Sequence, residues 1–208
     1  MPQLEFMKQD KYPTIGAIVQ RLRKQFKLTL NDLAQKSGLS ISAVSKIEND
    51  QVSPTYETIV RLAIGLEVDV TELFGGTSDK AGATGRLVVT RGGEGILQKT
   101  PHYEYEMLGA ELASKQFTPL LTRVRAHSIK EFSKIEGHPG EEFFYVLSGE
   151  VLLYTEHYAP VRLSPGDSSY FDSSMGHALV SVSGTDAMIL WIATRVHGIL
   201  ARDNFSNR

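Results

Sequence analysis

The chain has 208 residues, 41% of them apolar and 22% charged, a formal net charge of -2 and no cysteine. Such a composition is ordinary for a folded chain of two modest domains. It excludes disulfides, thiolate metal sites and a cysteine nucleophile, and it fits a reducing cytoplasm, the expected location. The longest apolar run, Ala187 to Ala193, is far too short to cross a bilayer and suits a buried strand, so no membrane partner is expected. The opening residues MPQLEFMKQDKYP lack the apolar core of a signal peptide.

Residues 1–13 read as a polar arm. From Thr14 to about Phe26, Ile15, Ile18, Val19, Leu22 and Phe26 recur at helical spacing. The next stretch, Leu28 to Pro54, carries two short helical patterns with a tight break between them. Thr29 is a good N-cap, with Asp32 three residues on as its reciprocal partner. Leu30, Leu33 and Ala34 form the apolar stripe of the first helix, and Gly38 ends it where a left-handed backbone is easiest. Ser40 caps the second helix, in which Val44 and Ile47 point inward. Its outward face, Ile41, Ser42, Ala43, Ser45 and Lys46, is small and hydroxyl-rich. Slim residues of this kind let a helix backbone approach base edges in a major groove. The charge here is also local: from Arg21 to Lys46 six cationic side chains stand against one carboxylate, Asp32. That is an adequate patch for phosphates despite the acidic total. Pro54-Thr55 opens a further helix with Ile59, Leu62, Ala63 and Leu66 inward, and VDVTELF closes the bundle.

Residues 14–74 resemble the Cro/C1-type (XRE, lambda-repressor-like) DNA-binding domain, carried by LAQKSGLSISAVSKIEND and SPTYETIVRLAIGLEVDVTELF. The resemblance implies a five-helix bundle. It implies bases read by Ile41, Ser42, Ala43 and Lys46, and phosphates held by Thr29, Ser40 and Asn49, with Ser53 a further candidate. It also implies a structural ion pair between Arg23 and Glu48.

Residues 75–85, GGTSDKAGATG, are small, polar and glycine-rich and read as a linker. Beyond them the pattern turns to short alternating runs: RLVVTR, GILQK, HYEYEML, LLTRVRAH, EFFYVLSG, EVLLYTE, VRLSPG, SSYFD, HALVSVS and DAMILWIATRV. Many short strands at close spacing predict an all-β sandwich or barrel over residues 86–200, with 201–208 as a tail. On EFFYVLSG, alternation places Glu142, Phe144 and Val146 inward.

His138, Glu142 and Gly149 stand four and then seven residues apart, and His177 follows Gly166 by eleven. These spacings resemble the two motifs of the cupin fold, a double-stranded β-helix or jelly-roll barrel. There are two departures: Glu136 replaces the first family histidine, and Asp172-Ser173-Ser174 replaces a Pro-x-Gly turn. The resemblance implies His138, Glu142 and His177 as metal ligands, with Glu136 a candidate fourth. Two histidines and a carboxylate suit Zn, Fe, Mn or Ni. A metal-free cupin with the same residues lining a ligand pocket is the other reading, and both stay open. Tyr103, Tyr105, Arg123 and Phe144 are the candidate pocket residues.

Together, the chain is expected to be multidomain, α then all-β, and resembles XRE regulators with a C-terminal cupin. The resemblance implies a homodimer joined through the cupin, a pseudo-palindromic double-stranded DNA operator and a small-molecule effector, with no catalysis. The alternative resemblance is to the Fe(II)-dependent epoxidase of 2-hydroxypropylphosphonate. It would make His138, Glu142 and His177 iron ligands, with Tyr103 and Tyr105 beside the substrate.

Overall fold

The computed structural model describes residues 13–75, 87–112 and 115–194. Among these residues five helices come first: α1 (Ile15–Gln25), α2 (Leu30–Ser37), α3 (Ile41–Glu48), α4 (Tyr56–Leu66) and α5 (Val70–Leu73). Each begins at a side-chain cap. Thr14 accepts from the Ala17 amide, Thr29 from Asp32, Ser40 from Ala43 and Thr55 from Thr58. At α2 the expected reciprocal box forms, with the Thr29 amide donating to Asp32 Oδ2 at 2.8 Å. Gly38 stops α2 in the left-handed region at φ +67°, which costs glycine little. The apolar stripes then meet, with Leu33, Val44, Ile59 and Leu62 fully enclosed. α1 and α3 pack closely, and a Cβ at Gly16 would run into the Ile47 carbonyl.

Among the described residues nine strands follow: β1 (Ile96–Lys99), β2 (Tyr103–Met107), β3 (Phe117–Val124), β4 (Glu141–Ser148), β5 (Val151–Thr155), β6 (Val161–Leu163), β7 (Ser168–Asp172), β8 (His177–Ser181) and β9 (Ala187–Thr194). All their pairings are antiparallel. They form a six-stranded sheet in the order β1-β2-β3-β9-β4-β7 and a three-stranded sheet β6-β5-β8. The inward row of β4 is Glu142, Phe144 and Val146, as alternation required. Phe144 faces Trp191 of β9 in register, and their rings are 6.2 Å apart.

Two strand expectations are corrected. Leu87–Arg91 forms no strand, because Leu87 and Val89 stay exposed and the sheet ends at β1. β3 begins at Phe117, three residues earlier than expected, because β9 offers it pairing back to Thr194. Residues 1–12 of the arm, 76–85 of the linker, Arg86, residues 195–200 of the second domain and the tail lie outside the described residues.

The two domains share one apolar core. Tyr56, the first residue of α4, is buried between them. Its ring lies 6.5 Å from Phe74 on the helical side and 5.5 Å from Tyr105 on the barrel side.

Candidate metal centre and nucleic-acid face

Glu142 begins the inward row of β4 in the larger sheet, and His177 begins β8 in the smaller one. His138 lies in the loop before β4, pinned by its backbone amide, which donates to the Ser173 carbonyl at 2.8 Å. That turn, Asp172-Ser173-Ser174, keeps its shape without Pro or Gly because Asp172 Oδ1 accepts from the Ser174 amide at 2.8 Å. One ligand atom from each of the three residues falls within 4.8 Å of the other two, and all three residues are buried. His138 Nε2 is 2.9 Å from Glu142 Oε1, and His177 Nε2 is 3.3 Å from Glu142 Oε2.

The far nitrogens are spoken for. His138 Nδ1 lies 3.2 Å from the Pro139 carbonyl and His177 Nδ1 lies 2.8 Å from the Met175 carbonyl. A carbonyl accepts only from an N–H, so both rings carry Nδ1–H and turn Nε2 toward the carboxylate. This is the orientation a metal-ligating histidine needs. Glu142 Oε2 is buried and makes no well-aligned hydrogen bond, its near neighbour being the His177 Nε2 of the ion pair. A buried carboxylate with an imidazole Nε2 facing each of its oxygens fits a divalent cation, and the donor set suits Zn, Fe, Mn or Ni. Burial alone would push the Glu142 carboxyl up, but contacts with His138 and His177 outweigh it and hold it down at about 2. Burial alone would lower His177, but Glu142 overrides it and lifts the imidazole to about 9.

Glu136 is not in this cluster. It points to Lys134 at 3.1 Å and to Arg61 of α4 at 3.9 Å. Tyr105 and Phe144 are in the barrel interior. The Tyr105 hydroxyl and the Trp191 indole N–H are both buried without a hydrogen-bond partner. Tyr103 is interior too, but its hydroxyl is occupied, donating to the Leu179 carbonyl at 3.1 Å and accepting from the Leu179 amide at 3.0 Å. Arg123 is a correction. It pairs in register with Glu104 on the outer face, Nε to Oε2 at 3.5 Å, and has no place in a barrel pocket.

Sequence reasoning missed Tyr56. Its ring meets the His138 ring edge-on at 5.6 Å. Beside it a cavity of about 320 Å³ opens between α4 and the barrel, with Thr55, Glu57 and Thr58 on one side and Phe132, Glu136 and His177 on the other. No local pattern marks Tyr56. A helical stripe shows only that a residue is buried, not against what.

On the helical domain, Ile41, Ser42 and Lys46 are exposed and Ala43 half-exposed on one side of α3. The bundle holds this face through Arg23, which grips Glu48 with two bonds, Nε to Oε1 at 2.6 Å and Nη2 to Oε2 at 2.7 Å. Its third contact, Nη1 to the Leu28 carbonyl at 2.9 Å, ties α1 to the start of α2. Thr29, Ser40 and Asn49 sit at helix ends, and their side chains serve there. Asn49 Nδ2 donates to the Ser45 carbonyl at 2.8 Å.

A family profile described as Helix-turn-helix matches residues 19–73, and one described as Cupin domain matches residues 130–193. The chain is similar to the HTH-type transcriptional regulator PuuR of Escherichia coli, 26% identical over 81% of this chain and 88% of that protein. It is also similar to the HTH-type transcriptional repressor RghR of Bacillus subtilis, 27% identical over 70% of this chain and 87% of that one. The chain thus joins an XRE-type helix-turn-helix domain to a C-terminal cupin domain. The fold of this helix-turn-helix–cupin protein also matches a crystal structure of an HTH_3 family transcriptional regulator from Vibrio cholerae. That match has a TM-score of 0.60 at 20% identity over 86% of this chain and 94% of that one.

Proposed function

We propose that this protein is a sequence-specific DNA-binding transcriptional regulator, located in the cytoplasm, whose cupin domain senses a small molecule, a divalent metal or both. The observation that carries the reading is the exposed, slim face of α3, braced by Arg23 and Glu48, on a chain that also holds a buried His-Glu-His centre. Ser42 and Lys46 are the hydrogen-bonding base readers, and Ile41 and Ala43 suit thymine methyl groups. The backbone and side-chain ends at Thr29, Ser40 and Asn49 border the phosphates.

One head of this size binds weakly. A homodimer joined through the cupin places two heads on a pseudo-palindrome about one DNA turn apart. The metal centre is His138, Glu142 and His177. A bound divalent ion would supply a Lewis-acidic point for an oxygen or nitrogen of the effector. In the barrel interior the Tyr105 hydroxyl and the Trp191 N–H, both buried without a hydrogen-bond partner, are the donors available to ligand oxygens, and Phe144 is the apolar neighbour of Trp191.

The test is selection of fragmented genomic DNA from the source organism by the purified full chain, with and without Zn(II). The expected result is a short inverted repeat upstream of a few operons. No enriched sequence in either condition overturns the regulator reading.

A further inference from the structure

α4 has two tasks in this fold. Its apolar side completes the DNA-binding bundle. Its first turn covers the cupin site of the same chain. Tyr56 packs edge-on against the ligand histidine His138 and tilts on Tyr105. One turn further along, Arg61 reaches Glu136 on the barrel at 3.9 Å. Between these contacts lies the cavity of about 320 Å³ that borders His177. Its share of liquid volume corresponds to roughly ten water molecules.

We propose that α4 is the lid of the cupin site, so that occupancy of the site and docking of the DNA-binding domain are one coupled equilibrium. The inference rests on the sensor reading given above and assigns the device by which sensing reaches the DNA. The walls of the cavity carry hydroxyls and carboxylates from both domains, so its occupant is a small polar molecule touching both at once. The cavity exists only while the head is docked. A ligand that fits it therefore stabilises the docked arrangement, because only differential affinity moves an equilibrium.

A metal ion held by His138, Glu142 and His177 would act in the same direction, because it would fix both rings: Tyr56 packs against the first, and the second borders the cavity. The consequence reaches the recognition helix directly. α3 is followed by Asn49–Thr55 and then by α4. α4 is also locked to α2 at Gly65, where a Cβ would crowd Ser37 at 3.0 Å. Fixing α4 on the barrel thus fixes the direction of Ile41, Ser42 and Lys46, and with it the spacing of two heads in a dimer.

The test uses the full chain, Zn(II) as the probe and the operator recovered above. Trp191, the single tryptophan of the chain, has its ring 6.5 Å from His177, so its fluorescence reports Zn(II) binding. In the wild type, Zn(II) is expected to change operator affinity by about fivefold or more, and operator DNA to change Zn(II) affinity by the same factor. Arg61→Glu sets a like charge against Glu136 and should bring both factors to one, with Zn(II) and DNA still bound. Adding Glu136→Arg should restore them.

Factors of one in the wild type, with both ligands bound, overturn the inference and leave the regulator reading standing. The docking itself is read in the metal-free chain from magnetisation transfer between the Tyr56 and Tyr105 ring protons. Its absence also overturns the inference, whatever Zn(II) does. Failure of the wild type to bind Zn(II), with that ring contact present, counts against the metal centre instead.

Discussion

Glu142 and His177 face each other across the two sheets, Oε2 to Nε2 at 3.3 Å, and each moves the other's proton affinity in the opposite direction. Glu142 titrates at about 2 against an ordinary 4.5. Its contribution to stability is complete above the ordinary value and is lost as pH falls through about 2. His177 titrates at about 9 against an ordinary 6.5. Its contribution is complete below 6.5 and is lost as pH rises through about 9. Metal-free protein should therefore melt highest between pH 4.5 and 6.5 and lose stability toward pH 9. Thermal melts of the chelator-treated chain check this. A melting temperature that stays level across the alkaline range, or a decline that His177→Ala leaves unchanged, refutes it.

Metal binding runs against the same proton. A ligand imidazole must give up its Nε2 proton, and His177 keeps that proton until about pH 9. Zn(II) affinity should then climb about tenfold per pH unit from 6.5 toward 9. Glu142→Gln keeps the size of the side chain and removes the charge that both rings face. It should weaken Zn(II) at least about a hundredfold, beyond what outer-shell changes usually cost. Titration calorimetry in buffers of different ionisation enthalpy gives both the affinity and the proton count. Release of no proton at pH 7 contradicts the assignment of His177.

How far these residues could be read from the sequence depended on how local their roles are. Thr29, Gly38 and Ser40 declare helix ends through chemistry that spans three or four residues, and each end falls where that chemistry puts it. His138, Glu142 and His177 were legible through motif spacing, because one loop and two strand starts deliver them. Arg123 was misread because the face of a strand depends on its neighbours. In register it meets Glu104, and Lys99 and Arg125 join the same carboxylate at 3.2 and 3.5 Å. Leu87 and Val89 alternate like a strand but find no edge to join. Tyr56 was illegible for a different reason. Its partners lie 49 and 82 positions along the chain, at Tyr105 and His138, and nothing in α4 itself says that a barrel will close over it.

The Arg23–Glu48 pair is the bracket of the DNA-binding bundle. Glu48 is nearly buried, with 2% of its side chain exposed, and Arg23 supplies both of its bonds. Arg23→Ala strands that carboxylate and should cost about 3 kcal/mol. For a bundle of this size that lowers the melting transition by roughly 12–24 °C. Arg23→Met with Glu48→Leu removes both charges and should recover most of the loss, since burying an ion pair gains little over packed apolar groups. Circular dichroism melts at the helical signal decide it. A double variant no more stable than Arg23→Ala rules the pair out as the cause.

The triad also permits an enzyme, and oxygen uptake separates the readings. Protein loaded with Fe(II) under argon and then exposed to oxygen with small hydroxy acids and hydroxyphosphonates should consume none beyond the rate of free Fe(II). Turnover that Glu142→Gln abolishes would place catalysis on the triad and displace the pure sensor.

The two polar residues of the recognition face should fail differently. Ser42 stands in the first turn of α3, where a helix in the major groove comes closest to the bases. Ser42→Ala should cost about 1–3 kcal/mol on the operator and leave random DNA nearly unaffected. Lys46 is in the last turn of α3, with a chain long enough for guanine or a phosphate. If it reads guanine, Lys46→Ala relaxes specificity at one base pair. If it holds a phosphate, the variant weakens all DNA alike and the slope of affinity against salt falls by about one ion. Fluorescence anisotropy on operator and scrambled duplexes, at several salt concentrations, distinguishes the two roles. Unchanged binding by both variants would mean that α3 does not enter the groove by this face.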